Sequence, residues 1–387
     1  MNYSDFFMMI PEASLVAILI VLFVADFATA KAEERKWFNP LASILLLLNT
    51  FVCLYPMDTP HLFGGMYVTS SAVNVMKAIL SMGTFIVVVQ SRTWAAKTGK
   101  EAEFYMLIVS TLLGMFAMMS AGNFVMFFLG LEMASVPLAC AVAFDMYRKN
   151  SAEAAAKFIL TATFSSGVML YGISFLYGQF GTLYFEDIAV KMQATPLTVI
   201  GLVFFFSGLG FKISLVPFHF WTADTYQGAP TTVTGYLSVI SKGAAAFTLL
   251  SILFHVFGNM MEYWHVLLMI VVVLSITIAN LFAVRQNELK RFMAFSSISQ
   301  AGYIMLAAIG NNWANSVAAL SYYVLIYVVA NMAVFTIISV VEQNNGGKTD
   351  ISDYNGFYQT NPRLSFLMTL AMFSLGGIPP FAGMFSK

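Results

Sequence analysis

The chain has 387 residues, 59% of them hydrophobic and only 10% charged, with nineteen basic residues balancing nineteen acidic ones. A soluble domain carries about 25% charged residues, so most of this chain faces lipid or other apolar helices. The charge balance excludes a basic face for nucleic acid. Two cysteines, Cys53 and Cys140, form no disulfide framework, metal site or iron–sulfur signature. Four scattered histidines (His61, His219, His255, His265) have no metal-ligand spacing, so any redox chemistry belongs to another chain.

Apolar runs of spanning length, about 17–25 residues, follow one another along the whole sequence. The first, 10–30, is too long for a secretory-signal core and has no basic residue ahead of it. The second (40–57) and third (71–91) are followed by the fourth (104–120) and fifth (124–144), which are separated only by the tight turn Ala121-Gly122-Asn123. The sixth (155–178), seventh (197–222), eighth (230–257), ninth (263–284), tenth (292–310), eleventh (316–343) and twelfth (364–387) complete an all-α polytopic membrane protein. The longest polar connection, 344–363, is too short for a soluble domain.

The basic residues orient these spans. With the N-terminus outside, thirteen of them fall in inward loops, among them Lys31, Arg35, Lys36, Lys97, Lys290 and Lys348, against one, Lys191, in an outward loop. That asymmetry is a positive-inside signal, and one missed or invented helix would scramble it. Five lysines remain: Lys77, Lys157, Lys212, Lys242 and Lys387 all fall inside spans. Glu132 sits in the middle of the fifth span. Glu153 opens the sixth, four residues before Lys157, so the two share a helix face and can pair.

A charge at the centre of a span costs about 2.5–3.5 kcal/mol on insertion scales. Burial disfavours an ammonium while a neighbouring carboxylate favours it, so a Lys–Glu pair whose separation changes can load and unload a proton. The bland alternative is snorkelling to an interface or a static pair. For Lys77 and Lys157, near span ends, both readings stay open. Lys242 lies twelve residues into its span, about 18 Å at 1.5 Å per residue, too deep to snorkel.

Gly208, Gly210 and Pro217 bracket Lys212 and predict an interrupted seventh helix. Irregular backbone at membrane depth is tolerated only where it is buried or lines a hydrated cavity. A second interruption, LGGIPPFAGMFSK, ends at Lys387 with the double proline Pro379-Pro380. The breaks lie five spans apart, an odd offset, which predicts two inverted repeats of five helices, the second lacking its last helix. His219, just past Pro217, reads as a structural histidine or as one that hands on a proton beside Lys212 and Asp224.

Four stretches then carry a resemblance: FLGLEMASVPLACAVAFD around Glu132, SLVPFHFWTADTYQGAPTTVTGYLSVISKGAAAF around His219 and Lys242, QNELKRFMAFSSISQAGY, and LGGIPPFAGMFSK. They resemble the antiporter-like membrane subunits of respiratory complex I, the proton-pumping NADH:quinone oxidoreductase, and the YQGAP run and LGLE context favour the subunit N branch over the M and L branches. The resemblance implies that Glu132 is the fifth-helix glutamate, and that Lys212, Lys242 and Lys387 are the lysines of the broken seventh, the eighth and the broken twelfth helices. It implies a hydrophilic axis along the membrane plane, with Glu153 and Lys157 a further pair near the fifth-helix site. Ala223 stands where the family usually has proline, Gln300 where many relatives have histidine, and Val73-Asn74 replace an aspartate-containing stretch.

The family has fourteen helices, so the sequence is expected to be C-terminally incomplete. Its expected units are three N-terminal helices (1–103), a first repeat (104–257) and a second, inverted repeat (258–387). The expected function is proton translocation coupled to quinone reduction in neighbouring subunits. NADH, FMN, iron–sulfur clusters and quinone would belong to those subunits; this chain would bind no cofactor, and subunits M and L would be partners in a cell inner membrane. Competing readings are a cation/proton antiporter or hydrogenase-linked subunit of the same family, and a scaffold whose buried pairs are static.

Overall fold

The computed structural model describes residues 4–29, 37–55, 62–146 and 148–387; Lys31, Arg35, Lys36 and His61 lie outside them. Among the described residues each of the twelve apolar runs is helical, and no strand forms beyond isolated backbone bridges. Ten helices are long and apolar enough to cross a membrane. The second span, Phe38–Cys53, and the twelfth, Pro362–Gly376, are shorter.

Helix starts follow local chemistry. Asn123 accepts a hydrogen bond from the Met126 amide and starts the fifth span, Phe124–Val142, directly after the fourth, Glu101–Met119. Thr195 and Thr198 form a reciprocal cap ahead of Pro196. Close approach then needs missing side chains: a Cβ on Gly114 would stand 2.4 Å from the Ala134 nitrogen, and one on Gly130 2.5 Å from the Met118 nitrogen. Small residues of this kind let membrane helices pack backbone to backbone.

Two spans exceed the apolar runs that predict them. The sixth, Lys149–Phe180, and the eleventh, Trp313–Asn344, have 32 residues each. At about 48 Å they overshoot the ~30 Å hydrocarbon layer and carry polar turns beyond it. The eighth span, Thr231–His255, is the most enclosed helix of the bundle. It contains a π-helical turn, Leu237–Ser241, immediately before Lys242.

Both predicted interruptions exist, and the first sits later than its glycines suggest. The seventh span runs unbroken over Pro196–Ile213, ends where Ser214 takes a left-handed φ of 68°, and resumes as Phe220–Gly228. Lys212 therefore occupies the last turn of the first half and not the middle of the break. The freed backbone is satisfied internally, with the Val216 amide donating to Ser275 Oγ of the ninth span at 2.9 Å. The twelfth span stops at Gly377 and resumes as Ala382–Ser386.

Candidate functional site

Lys212 points from the seventh span to the fifth. Its Nζ donates to Ser135 Oγ at 2.7 Å, and the ring of Phe158 lies 5.9 Å away. Glu132 stands one turn before Ser135, yet no ion pair joins it to Lys212. One carboxylate oxygen of Glu132, Oε1, is buried and accepts no hydrogen bond. Ser135, and not Glu132, is thus the hydrogen-bond partner of Lys212.

Lys242 repeats this design. Its Nζ donates to Ser297 Oγ of the tenth span (Leu289–Leu306) at 2.8 Å and stands 5.4 Å from the Tyr226 ring. The Tyr226 hydroxyl is 3.3 Å from the same serine oxygen. Trp221 packs against Phe158, the ring beside Lys212, and Tyr226, the ring beside Lys242. One turn beyond Ser297, Gln300 donates to the Leu375 carbonyl at 3.1 Å, and Tyr323 donates to Gln300. Leu375 borders the second break, and its carbonyl also accepts from Lys387 Nζ at 2.6 Å. Ser297 and Gln300, three residues apart, put the surroundings of Lys242 and Lys387 on one face of the tenth span.

Lys77 contradicts the snorkelling alternative. It is fully buried and paired with Glu12 of the first span (Ile10–Ala28) at 2.6 Å. Tyr67 donates to the other Glu12 oxygen at 2.9 Å and accepts from Lys77 at 3.2 Å. The partner lies 65 residues away in a part of the sequence with no distinguishing motif.

Glu153 and Lys157 pair at 2.8 Å as their spacing predicts, but largely in the open: Lys157 also binds Asp224 at 2.7 Å, and Arg291 binds the other Asp224 oxygen at 2.7 Å. This cluster sits near the N-terminal end of the sixth span, where Lys157 is about half exposed. His219 is buried, with Nδ1 unpartnered. It lines a cavity of about 490 Å³ with Pro217, Phe220, Asp224 and Arg291. Lys290, assigned to an inward loop by its sequence position, is also buried and donates to the Ala229 carbonyl at 2.7 Å.

A sequence model of the NADH:quinone oxidoreductase/Mrp antiporter membrane family matches residues 121–387. The NADH-quinone oxidoreductase subunit N of Phocaeicola vulgatus is 59% identical over 97% of this chain and 80% of its own length. That of Azobacteroides pseudotrichonymphae is 48% identical over 100% and 81%. The chain belongs to the subunit N branch of this family. Respiratory complex I from Thermus thermophilus with bound aureothin contains a chain of the same fold, with a TM-score of 0.81 and 28% identity over 97% of this chain and 80% of that one. The family match takes in Glu132, Lys212, Lys242 and Lys387. Glu12, Tyr67 and Lys77 precede it.

Proposed function

We propose that this chain is a membrane-arm subunit of a proton-translocating NADH:quinone oxidoreductase, passing protons along Glu132, Lys212, Lys242 and Lys387. The observation that carries this reading is the choice of partners. Lys212 and Lys242 rest on serine hydroxyls, Lys387 on a backbone carbonyl, and none of the three on a carboxylate. A hydroxyl accepts from an ammonium and donates equally well to a neutral amine. Such a site holds lysine in either protonation state, as a relay requires, whereas a bound carboxylate would favour the charged state alone. Glu132, with an unpartnered oxygen beside Ser135, is the group whose approach would recharge Lys212.

On this reading the chain carries no redox centre. NADH, FMN, iron–sulfur clusters and quinone belong to other subunits, and the antiporter-like subunits M and L are neighbours in a cell inner membrane. The N-terminus faces outward, and the units are 1–103, 104–257 and the inverted 258–387. His219 and the Glu153–Lys157–Asp224 cluster serve the inner end of the seventh-span break.

In the assembled complex, Glu132→Ala should lower both proton pumping and quinone-coupled turnover. Pumping at the parent rate by assembled complex would remove Glu132 from the relay. The topology is tested separately: cysteines at Lys97 or Lys348 should resist an impermeant reagent added from outside, and one at Lys191 should label. The reverse pattern would overturn both the orientation and the inverted repeats.

A further inference from the structure

The inner end of the eighth span bears a polar feature that the lysine axis does not use. A cavity of about 480 Å³ opens there, lined by Arg148, Glu288, Lys290, Glu342 and Lys348 among others. Glu342, near the inner end of the eleventh span, is buried at its wall. Its Oε1 accepts from Arg148 at 2.9 Å, and its Oε2 accepts from the Thr231 hydroxyl at 2.5 Å. Thr231 is the first residue of the eighth span.

From Thr231 a hydroxyl recurs on each turn of the same helix face. Thr231, Thr234 and Ser238 precede Lys242 at spacings of three, four and four residues, and all four side chains are buried. The helix bears further hydroxyls at Thr232, Ser241, Thr248 and Ser251, and of its hydroxyls Thr231, Thr234 and Ser238 form the row at helical spacing that runs from the Glu342 cavity to Lys242. Ser238 meets the lysine's surroundings from two sides: its carbonyl accepts from Ser297 Oγ at 3.3 Å, and its hydroxyl accepts from Asn331. At that level Asn331 Oδ1 and the Tyr327 hydroxyl, one turn apart on the eleventh span, are buried without a hydrogen-bond partner. Buried polar atoms of this kind are ordinarily satisfied by internal water, which also bridges the ~5–6 Å between successive turns.

We propose that Glu342 is the group through which this subunit takes up protons from the inner side, and that the Thr231–Thr234–Ser238 face delivers them to Lys242. The inference rests on the lysine relay and adds its inner terminus. The step moves one proton. The Glu342 carboxylate takes it from cavity water as Arg148 yields its bond. Each hydroxyl or intervening water then passes a proton forward and receives one from behind. The neutral amine of Lys242 becomes an ammonium, and Glu342 returns to the carboxylate. Only O–H and N–H bonds form and break.

The experiment measures proton pumping per assembled complex in proteoliposomes during NADH:quinone turnover. Glu342→Gln keeps an acceptor for Arg148 and Thr231 but cannot titrate, and should pump several-fold more slowly. Glu342→Asp restores a titrating carboxyl and should recover most of the loss. Thr231→Val, which removes the first hydroxyl, should fall with Glu342→Gln, while Thr232→Val, one residue off the face, should pump like the parent. Parent-rate pumping by Glu342→Gln, or equal losses in the Gln and Asp variants, would overturn the assignment. Lys242→Met separates the two levels. If it is inactive while Glu342→Gln is normal, only the uptake group is wrong; if it too pumps normally, the relay itself falls.

Discussion

Two kinds of buried lysine occupy this bundle. Lys77 is locked: a carboxylate lies 2.6 Å away, a tyrosine bridges the pair, and the rings of Tyr67 and Phe116 stand 5.3 and 5.6 Å from its ammonium. Lys212 and Lys242 are as deeply enclosed, yet each holds one serine hydroxyl and one aromatic face. The first arrangement satisfies the charge with a carboxylate and joins the first and third spans to the loop that carries Tyr67. The second gives each ammonium a hydroxyl and a ring face but no carboxylate. Under the proposed relay it is the partner, and not burial, that sets Lys212 and Lys242 apart from Lys77.

The contrast can be broken from either side. The largest effect should come from Lys77→Met, which strands the Glu12 carboxylate. Removing one member of a buried pair costs about 3–5 kcal/mol, so assembled complex should be scarce. The double variant Glu12→Gln/Lys77→Met, with no charge left behind, should assemble and pump near the parent level. If the double variant assembles but does not pump, Lys77 belongs to the relay after all.

A second variant converts one class into the other. Ser135→Asp would give Lys212 the carboxylate that Lys77 already has, and should leave assembly intact while pumping collapses. Unimpaired pumping would show that a fixed counter-charge does not hinder Lys212. Ser135→Ala is milder. Leaving one buried donor unpaired costs about 1–3 kcal/mol, so thermal stability of the complex should drop measurably, with a smaller loss of pumping than in the Asp variant. The smallest effect is expected from Lys157→Met, whose pairs with Glu153 and Asp224 are half-exposed and screened. A collapse of pumping there would place the Glu153–Lys157–Asp224 cluster on the main path.

Much of this architecture is legible in the sequence because lipid demands long apolar runs and charges within them stand out. The breaks are legible as well, since Pro217 and Pro379-Pro380 cannot continue a helix. The placement of the first is not, because the seventh helix stops at the left-handed Ser214, a residue that carries no special signal. The lysines are visible as exceptions. Their partners are not, since Ser135 and Ser297 look like any serine in an apolar helix, and only tertiary packing selects them. Glu12 is hidden for a related reason: it opens the first span like a terminal charge, and nothing local points to Lys77. Glu153 and Lys157 mislead in the opposite direction. Their i, i+4 pairing is readable, but the exposure of both side chains and the added Asp224 partner are not.

The central claim is that Lys212 works by changing its protonation state on a hydroxyl partner. Its most direct test is proton pumping by Lys212→Arg and Lys212→Met complexes, normalised to assembled enzyme. Arginine keeps the charge and can still bond Ser135, but a guanidinium with a pKa above about 12 does not release its proton usefully. Methionine keeps the length and loses the charge. The relay predicts that both variants assemble and that both pump poorly, arginine no better than methionine. Normal pumping by the arginine variant would show that Lys212 supplies only a fixed charge and would contradict the account.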